Sequence, residues 1–226
     1  ITPSRNGGRI DNTIDLGSTA HRFKDLQLSG TLALTTADNA SAANMFVSPS
    51  TDFLYLEYPA NGMIFRNTSG TEHMRISSTG EVTKPYQPAF QVRPASVQSN
   101  IAVSTAVTIV LGTEAFDVGA NFASNTFTAP VTGKYQLNVE IRLDNIDTVA
   151  AYYQLYLVTS NRTYHSIVDP GVLASDPAYW ALGLSVLADM DASDTACLSI
   201  YQGGGTAQTD INADTGNTIF SGYLAC

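Results

Sequence analysis

Residues Tyr135-Gln136-Leu137-Asn138-Val139-Glu140-Ile141-Arg142-Leu143 alternate apolar and polar without a break. That period puts every apolar side chain on one face of an extended chain and predicts a half-buried strand. Ile101, Val103, Val107, Ile109 and Leu111 share a face in the same way. Further strands are predicted over 151–159, 163–169, 179–188, 196–201 and 218–225. Strands at this spacing, with no helical pattern between them, indicate an antiparallel sandwich.

Residues 1–84 have a different texture. Short apolar pieces such as Leu26-Gln27-Leu28, Met63-Ile64-Phe65 and Met74-Arg75-Ile76 are punctuated by glycine, with turn signals at Asn61-Gly62, Ser69-Gly70 and Thr79-Gly80. Each piece is too short to form a sheet with its own core, so a run of them is stable only when it stacks on itself or intertwines with other chains. Glycine interrupts every stretch of helical periodicity. A single helical turn is expected only between Thr19 and Leu26.

Charge narrows the partners. The 226-residue chain carries a net charge of −9. Up to Lys84 there are eight acids against seven bases, and from Pro85 onward twelve against four (Arg93, Lys134, Arg142, Arg162). An acidic second half does not suit phosphate binding, which needs clustered Lys and Arg, so nucleic acid is not an expected partner. No apolar run approaches the roughly 20 residues of a membrane-spanning helix. No basic-then-apolar leader opens the chain, so secretion by signal peptide is not expected. The start at Ile1-Thr2-Pro3-Ser4 reads as part of something longer. Cys197 and Cys226 have no metal or redox spacing. Cys197, in an apolar run, is expected to be a small core residue, and a Cys197–Cys226 disulfide is left open.

Three stretches carry a resemblance. Pro88-Ala89-Phe90-Gln91-Val92 is an extended segment with Phe90 inward. Thr126-Phe127-Thr128-Ala129-Pro130-Val131-Thr132-Gly133-Lys134-Tyr135 leads into a long strand, and Phe220-Ser221-Gly222-Tyr223-Leu224 closes the chain. With Ala115-Phe116-Asp117 they fall in the order of a C1q/TNF-type jelly-roll head, and residues 85–226 resemble that family. The resemblance implies a compact homotrimeric head that recognises something at its tip.

In the first 84 residues, Asn12-Thr13-Ile14-Asp15-Leu16-Gly17-Ser18 with His21-Arg22-Phe23-Lys24-Asp25-Leu26 resembles an element of phage tail-fibre shafts. Gly70-Thr71-Glu72-His73-Met74-Arg75-Ile76-Ser77-Ser78-Thr79-Gly80 resembles one that precedes a tail-fibre tip. The pair implies an all-β protein: a shaft of short intertwined β segments over 1–84, then the jelly-roll head over 85–226, trimeric. It also implies upstream tail-fibre or baseplate partners and a place at the tip of a virion's tail fibre. No intramolecular chaperone or collagen-like repeat accompanies the motifs.

If successive strands are antiparallel, their loops alternate between the two ends of the sandwich. With the last strand returning to the base, the loops at 144–150, 170–178 and 203–217 lie at the tip. The turns at 160–162 and 190–194 lie at the base. The tip loops and their edge then hold Asp144, Asp147, Asp169, Asp176, Asp210 and Asp214, with no Lys or Arg. Close carboxylates repel by about 1 kcal/mol per pair in water. Bound Ca²⁺, wide separation or a cationic partner would offset that, and oxygen ligands suit Ca²⁺. The plainer reading makes these residues solvated turn formers. Tyr179 and Trp180, beside Asp176, add aromatic faces of the kind on which sugar rings stack. The competing reading places Trp180 in the core or an interface. Tyr152 and Tyr156 fall on one strand face and Tyr153 on the other, as interface or core residues.

Signs of catalysis are few. The histidines His21, His73 and His165 are scattered, no nucleophile elbow is present, and Gly203-Gly204-Gly205-Thr206 lacks the Lys-Ser/Thr of a phosphate loop. That glycine run reads as a flexible loop. Asp189, Asp191 and Asp194 lack the glycine and closing Glu of a calcium loop. The leading expectation is a non-enzymatic receptor-binding protein whose tip recognises a host-surface molecule, glycan first, near Asp144, Asp147, Asp176, Asp210, Asp214, Tyr179 and Trp180. The alternatives are a polysaccharide depolymerase of the tail-spike type, and a structural trimer cap that binds nothing.

Overall fold

The computed structural model describes residues 4–5, 8–9, 32–35, 42–47, 54–58 and 60–226. The chain divides into two compact units, Ile1–Pro85 and Tyr86–Cys226. The first holds a small hairpin of β1 (Ser4–Arg5) and β2 (Gly8–Arg9). It also holds two three-stranded antiparallel sheets. One is formed by β3 (Leu32–Thr35), β4 (Ala42–Val47) and β5 (Leu54–Glu57), the other by β6 (Met63–Arg66), β7 (Glu72–Ile76) and β8 (Val82–Thr83).

The turn glycines Gly62, Gly70 and Gly80 have φ of 94°, 90° and 97°, a region that L side chains disfavour. Met45, Leu54, Leu56, Ile64 and Phe65 remain exposed on these small sheets. The shaft-like motif at residues 12–26 and the helical turn expected within it lie outside the described residues.

The second unit is a two-layered sandwich. Its strands are β9 (Ala89–Arg93), β10 (Ala106–Thr108), β11 (Thr113–Asp117), β12 (Phe122–Ala123), β13 (Thr126–Thr128), β14 (Gly133–Asp144), β15 (Tyr153–Thr159), β16 (Thr163–Val168), β17 (Tyr179–Met190), β18 (Thr195–Gln202), β19 (Asp210–Ile211) and β20 (Ile219–Leu224). One sheet has the order β11-β9-β20-β14-β17, with β19 also on β14; the other runs β12-β13-β18-β15-β16, with β10 also on β18. All the ladders are antiparallel. Apart from the hairpins β12–β13 and β15–β16 and the pair β19, β20, consecutive strands pass from sheet to sheet, and the first strand lies beside the last, which is the strand order of a jelly roll. The all-β class and the antiparallel jelly-roll sandwich expected from the sequence are thus the ones observed.

The alternation read in β14 is realised: Tyr135, Leu137, Val139, Ile141 and Leu143 are buried against the facing sheet. Phe90 lies at the centre of the aromatic core. Its ring stacks on Phe127 at 4.5 Å and Phe122 at 5.5 Å and meets the edge of Phe220 at 4.9 Å. Gly222 makes room for it, since a Cβ there would come within 2.8 Å of the Phe90 ring and 2.6 Å of Leu137. Ile101, Ile109 and Leu111 are buried as expected, but only 106–108 of that segment forms a strand.

Cys197 is a correction. Ala196, Leu198 and Ile200 take the inward positions of β18, so strict alternation turns Cys197 outward, where it is half-buried. Both cysteines are free thiols.

Candidate functional site

Register fixes which loops meet. Asp144 at the end of β14 pairs with Tyr179 at the start of β17 and with Asp210 of β19, while Tyr153 at the start of β15 pairs with Val168 and Gln202. The loops 145–152, 169–178 and 203–218 therefore share one end of the sandwich. A fourth segment joins them: Gln98 bridges Ile211, and Val103 bridges Gln202. The turns after β15 and β17 meet at the opposite end, where the Ser160 N–H donates to the Thr195 carbonyl at 3.0 Å and the Asn161 side chain donates to Asp194 at 2.7 Å.

The acidic side chains at the loop end do different jobs. Asp144 accepts from Arg142 Nε at 2.7 Å and from Asn212 Nδ2 at 2.5 Å. The Arg142 guanidinium in turn lies 5.0 Å from the centre of the Tyr179 ring. The cation missing from the loops is thus supplied by the strand that leads into them.

Asp147 is only 1% exposed, so it does not belong to a contact surface. One carboxylate oxygen accepts from the Thr206 and Ala207 N–H groups at 2.5 and 2.7 Å, and the other accepts from the Val149 N–H at 2.9 Å. Burial pushes its carboxyl up, and the hydrogen bonds from Ala207, Val149 and Thr206 outweigh that, holding it below the ordinary aspartate value. Gly205 makes this possible. It has a φ of 107°, and a Cβ there would lie 2.5 Å from Asp147 Oδ2. The last glycine of the run therefore lets the chain close over a buried anion.

Asp210 clamps two residues of left-handed backbone. It accepts from the N–H of Asn100 (φ 56°) at 2.7 Å and from the Asn145 side chain (φ 59°) at 3.0 Å. Asp176, exposed, accepts from the Thr148 N–H at 2.8 Å and from its hydroxyl at 2.5 Å; those bonds, the hydroxyl's first, hold its carboxyl below the usual range. Asp214 is exposed and caps its own turn through the Gly216 N–H at 2.8 Å. Mutual repulsion is thus offset by the chain's own donors. Among the described residues no three His, Cys, Asp or Glu side chains are grouped to hold a metal ion.

The two aromatic candidates separate. Tyr179 is 65% exposed, whereas Trp180 packs against the hydrophobic core opposite Leu143. Strand alternation explains the split, because adjacent residues of β17 point to opposite faces. The outward set at the loop end is therefore Asp176, Asp214 and Tyr179, joined by two residues that the sequence reading passed over: Val149, 66% exposed, and Val172, 79% exposed. Their signal was present, since a bare valine in a polar loop has no core to serve.

The sequence matches no family model and no curated protein. Among solved structures, the second unit is similar to the globular domain of a zebrafish complement 1qA protein, with a TM-score of 0.44 and 15% identity over 62% of this chain and 98% of that one. It is similar also to murine APRIL, with a TM-score of 0.46 and 11% identity over 61% and 98%. The protein's class, a jelly-roll β-sandwich with loops gathered at one end, is defined by its own strand order.

Proposed function

We propose that this chain is the C-terminal part of a phage tail fibre: a β-rich shaft over 1–84 followed by a receptor-binding head. It acts as a non-enzymatic homotrimer at the fibre tip, joined to upstream tail-fibre or baseplate proteins, and adheres to a host-surface molecule, glycan first. The observation that carries the reading is the head's polarity. Its four loop segments form one end, braced by carboxylate–backbone bonds, while its first strand begins at the other: Ala89 pairs with Tyr223, and the Lys134 N–H donates to the Cys226 carbonyl. Asp176, Asp214 and Tyr179 supply that end with acceptors for sugar hydroxyls and an aromatic face.

Support for several chains comes from the first unit. Three-stranded sheets that leave Leu54, Leu56, Ile64 and Phe65 exposed lack a core of their own and need a partner to cover them. Three identical heads would also gain avidity on a repetitive surface.

Light scattering of the full chain is expected to give a mass near three chains, in EDTA as well as in its absence. A stable monomer would undo the fibre reading, and a trimer lost in EDTA would place a metal such as Ca²⁺ in the assembly. Labelled protein should bind some members of a panel of bacterial cells and their purified surface polysaccharides, without releasing new reducing ends. The Asp214→Ala, Tyr179→Ala double variant should keep the trimer mass and lose about tenfold or more of that binding. Undiminished binding would move the receptor site away from the loop end.

A further inference from the structure

The outer face of the β12-β13-β18-β15-β16 sheet is unlike the rest of this acidic molecule. Its outward positions on β15 (Gln154, Tyr156, Val158), β16 (Thr163, His165, Ile167) and β18 (Thr195 to Tyr201) include no carboxylate, ammonium or guanidinium. The outer face of the other sheet, by contrast, carries Lys134, Glu140, Arg142, Asp144 and Asp189 on two adjacent strands. A solvated sheet face normally takes its solubility from charge. This one relies on hydroxyl, amide, imidazole and phenol groups.

The aromatic groups are also held in place. Tyr152 and Tyr201 stack at 5.5 Å with planes 21° apart. Tyr152 lies flat over Gly203, where a Cβ would come within 3.0 Å of its ring. On the next level of the sheet, the Tyr156 hydroxyl donates to Gln154 Oε1 at 2.9 Å, and the ring stands between its cross-strand neighbours Ser199 and His165. Desolvation and the neighbouring Tyr201 and Tyr156 keep the Tyr152 phenol above its ordinary value, so that ring stays neutral.

We infer that this face is a binding platform for a neutral oligosaccharide, whose rings pack on Tyr152, Tyr156 and Tyr201 while its hydroxyls bond Gln154, Ser199 and His165. Phenol rings offer flat apolar area with a polar tip and only two side-chain torsions to fix. The amide, hydroxyl and imidazole supply both donors and acceptors, as sugar hydroxyls require. A polyanion is disfavoured because no cation is present. A second copy seated on this face, which its aromatic residues and lack of charge would also suit, would shut out polysaccharide and show as no retardation in any gel. The platform runs down the flank of the sandwich from Tyr152 at its loop end, on the opposite sheet from Tyr179, so the inference concerns a different face from the one that carries Tyr179.

Affinity electrophoresis of the full chain through gels holding dextran, yeast mannan, galactomannan or linear β-1,3-glucan tests it. Retardation is expected in at least one gel. Tyr156→Ala should weaken the apparent association constant about tenfold, and Tyr156→Phe, which keeps the ring, by much less. The Asp214→Ala, Tyr179→Ala double variant should be retarded like the parent chain, which separates this site from the loop end. If Tyr156→Ala fails to fold by circular dichroism, Ser199→Glu sets a charge on the platform and should abolish retardation. No retardation in any of the gels, or retardation unchanged by these platform substitutions, would overturn the inference.

Discussion

Asp147→Ala is expected to destabilise the head by about 3 kcal/mol and to loosen its loop end before the rest unfolds. The substitution removes the acceptor for three backbone N–H groups, those of Val149, Thr206 and Ala207. Each buried donor left unmade costs about 1–3 kcal/mol, reduced where loop relaxation lets water in. Urea unfolding at constant m should report the loss as a lowered midpoint. A change below about 1 kcal/mol would mean that the 203–209 loop is held by other contacts.

The carboxyl's depressed value adds a pH signature. Because the folded-state value lies below the unfolded one, the contribution is fully present above the unfolded aspartate value of 3.8 and is lost as pH falls through the folded value. The parent head should therefore lose stability on acidification below about pH 4, and Asp147→Ala should flatten that acid limb.

Phe90→Ala is expected to cost about 3–5 kcal/mol, because it empties the space between three other aromatic rings in a fully buried site. For a unit of this size the melting temperature should fall by roughly 10 °C. Phe116→Ala is the matched control. Phe116 pairs with Gln91 beside Phe90's strand position but keeps about half its surface in water, so its loss should cost well under half as much. Equal losses in calorimetry would show that the core does not run through Phe90.

How much of this was legible depends on what kind of signal a residue leaves. Strand β14 announced itself because each of its core positions alternates with a polar one, and a period of two has few other meanings. The gathering of the loops at one end followed from strand count and antiparallel order alone. Asp147 was not legible as a buried group. Aspartate in a polar loop reads as a solvated turn former, and its partners Thr206 and Ala207 lie far along the chain. The one trace in the sequence was the glycine run at 203–205, whose last member, Gly205, makes room for that carboxylate. Arg142 escaped a tally of loop charges because it belongs to a strand, although its guanidinium reaches Asp144. Trp180 could not be assigned without the strand's phase, since Tyr179 and Trp180 differ only in which face each is given.

The pairing of β9 on both its edges has a mechanical consequence. It is flanked by β20 on one side and β11 on the other, and its first residues sit at the end of the head away from the loops. Tension applied between residue 86 and the loop end runs along the strand axis, across the ladder bonds, so the rungs on both sides of β9 are strained together in shear. Peeling, in which rungs break singly, would require a pull across the sheet. A head that adheres through its loops and is tugged from its first strand is therefore loaded in its stronger direction.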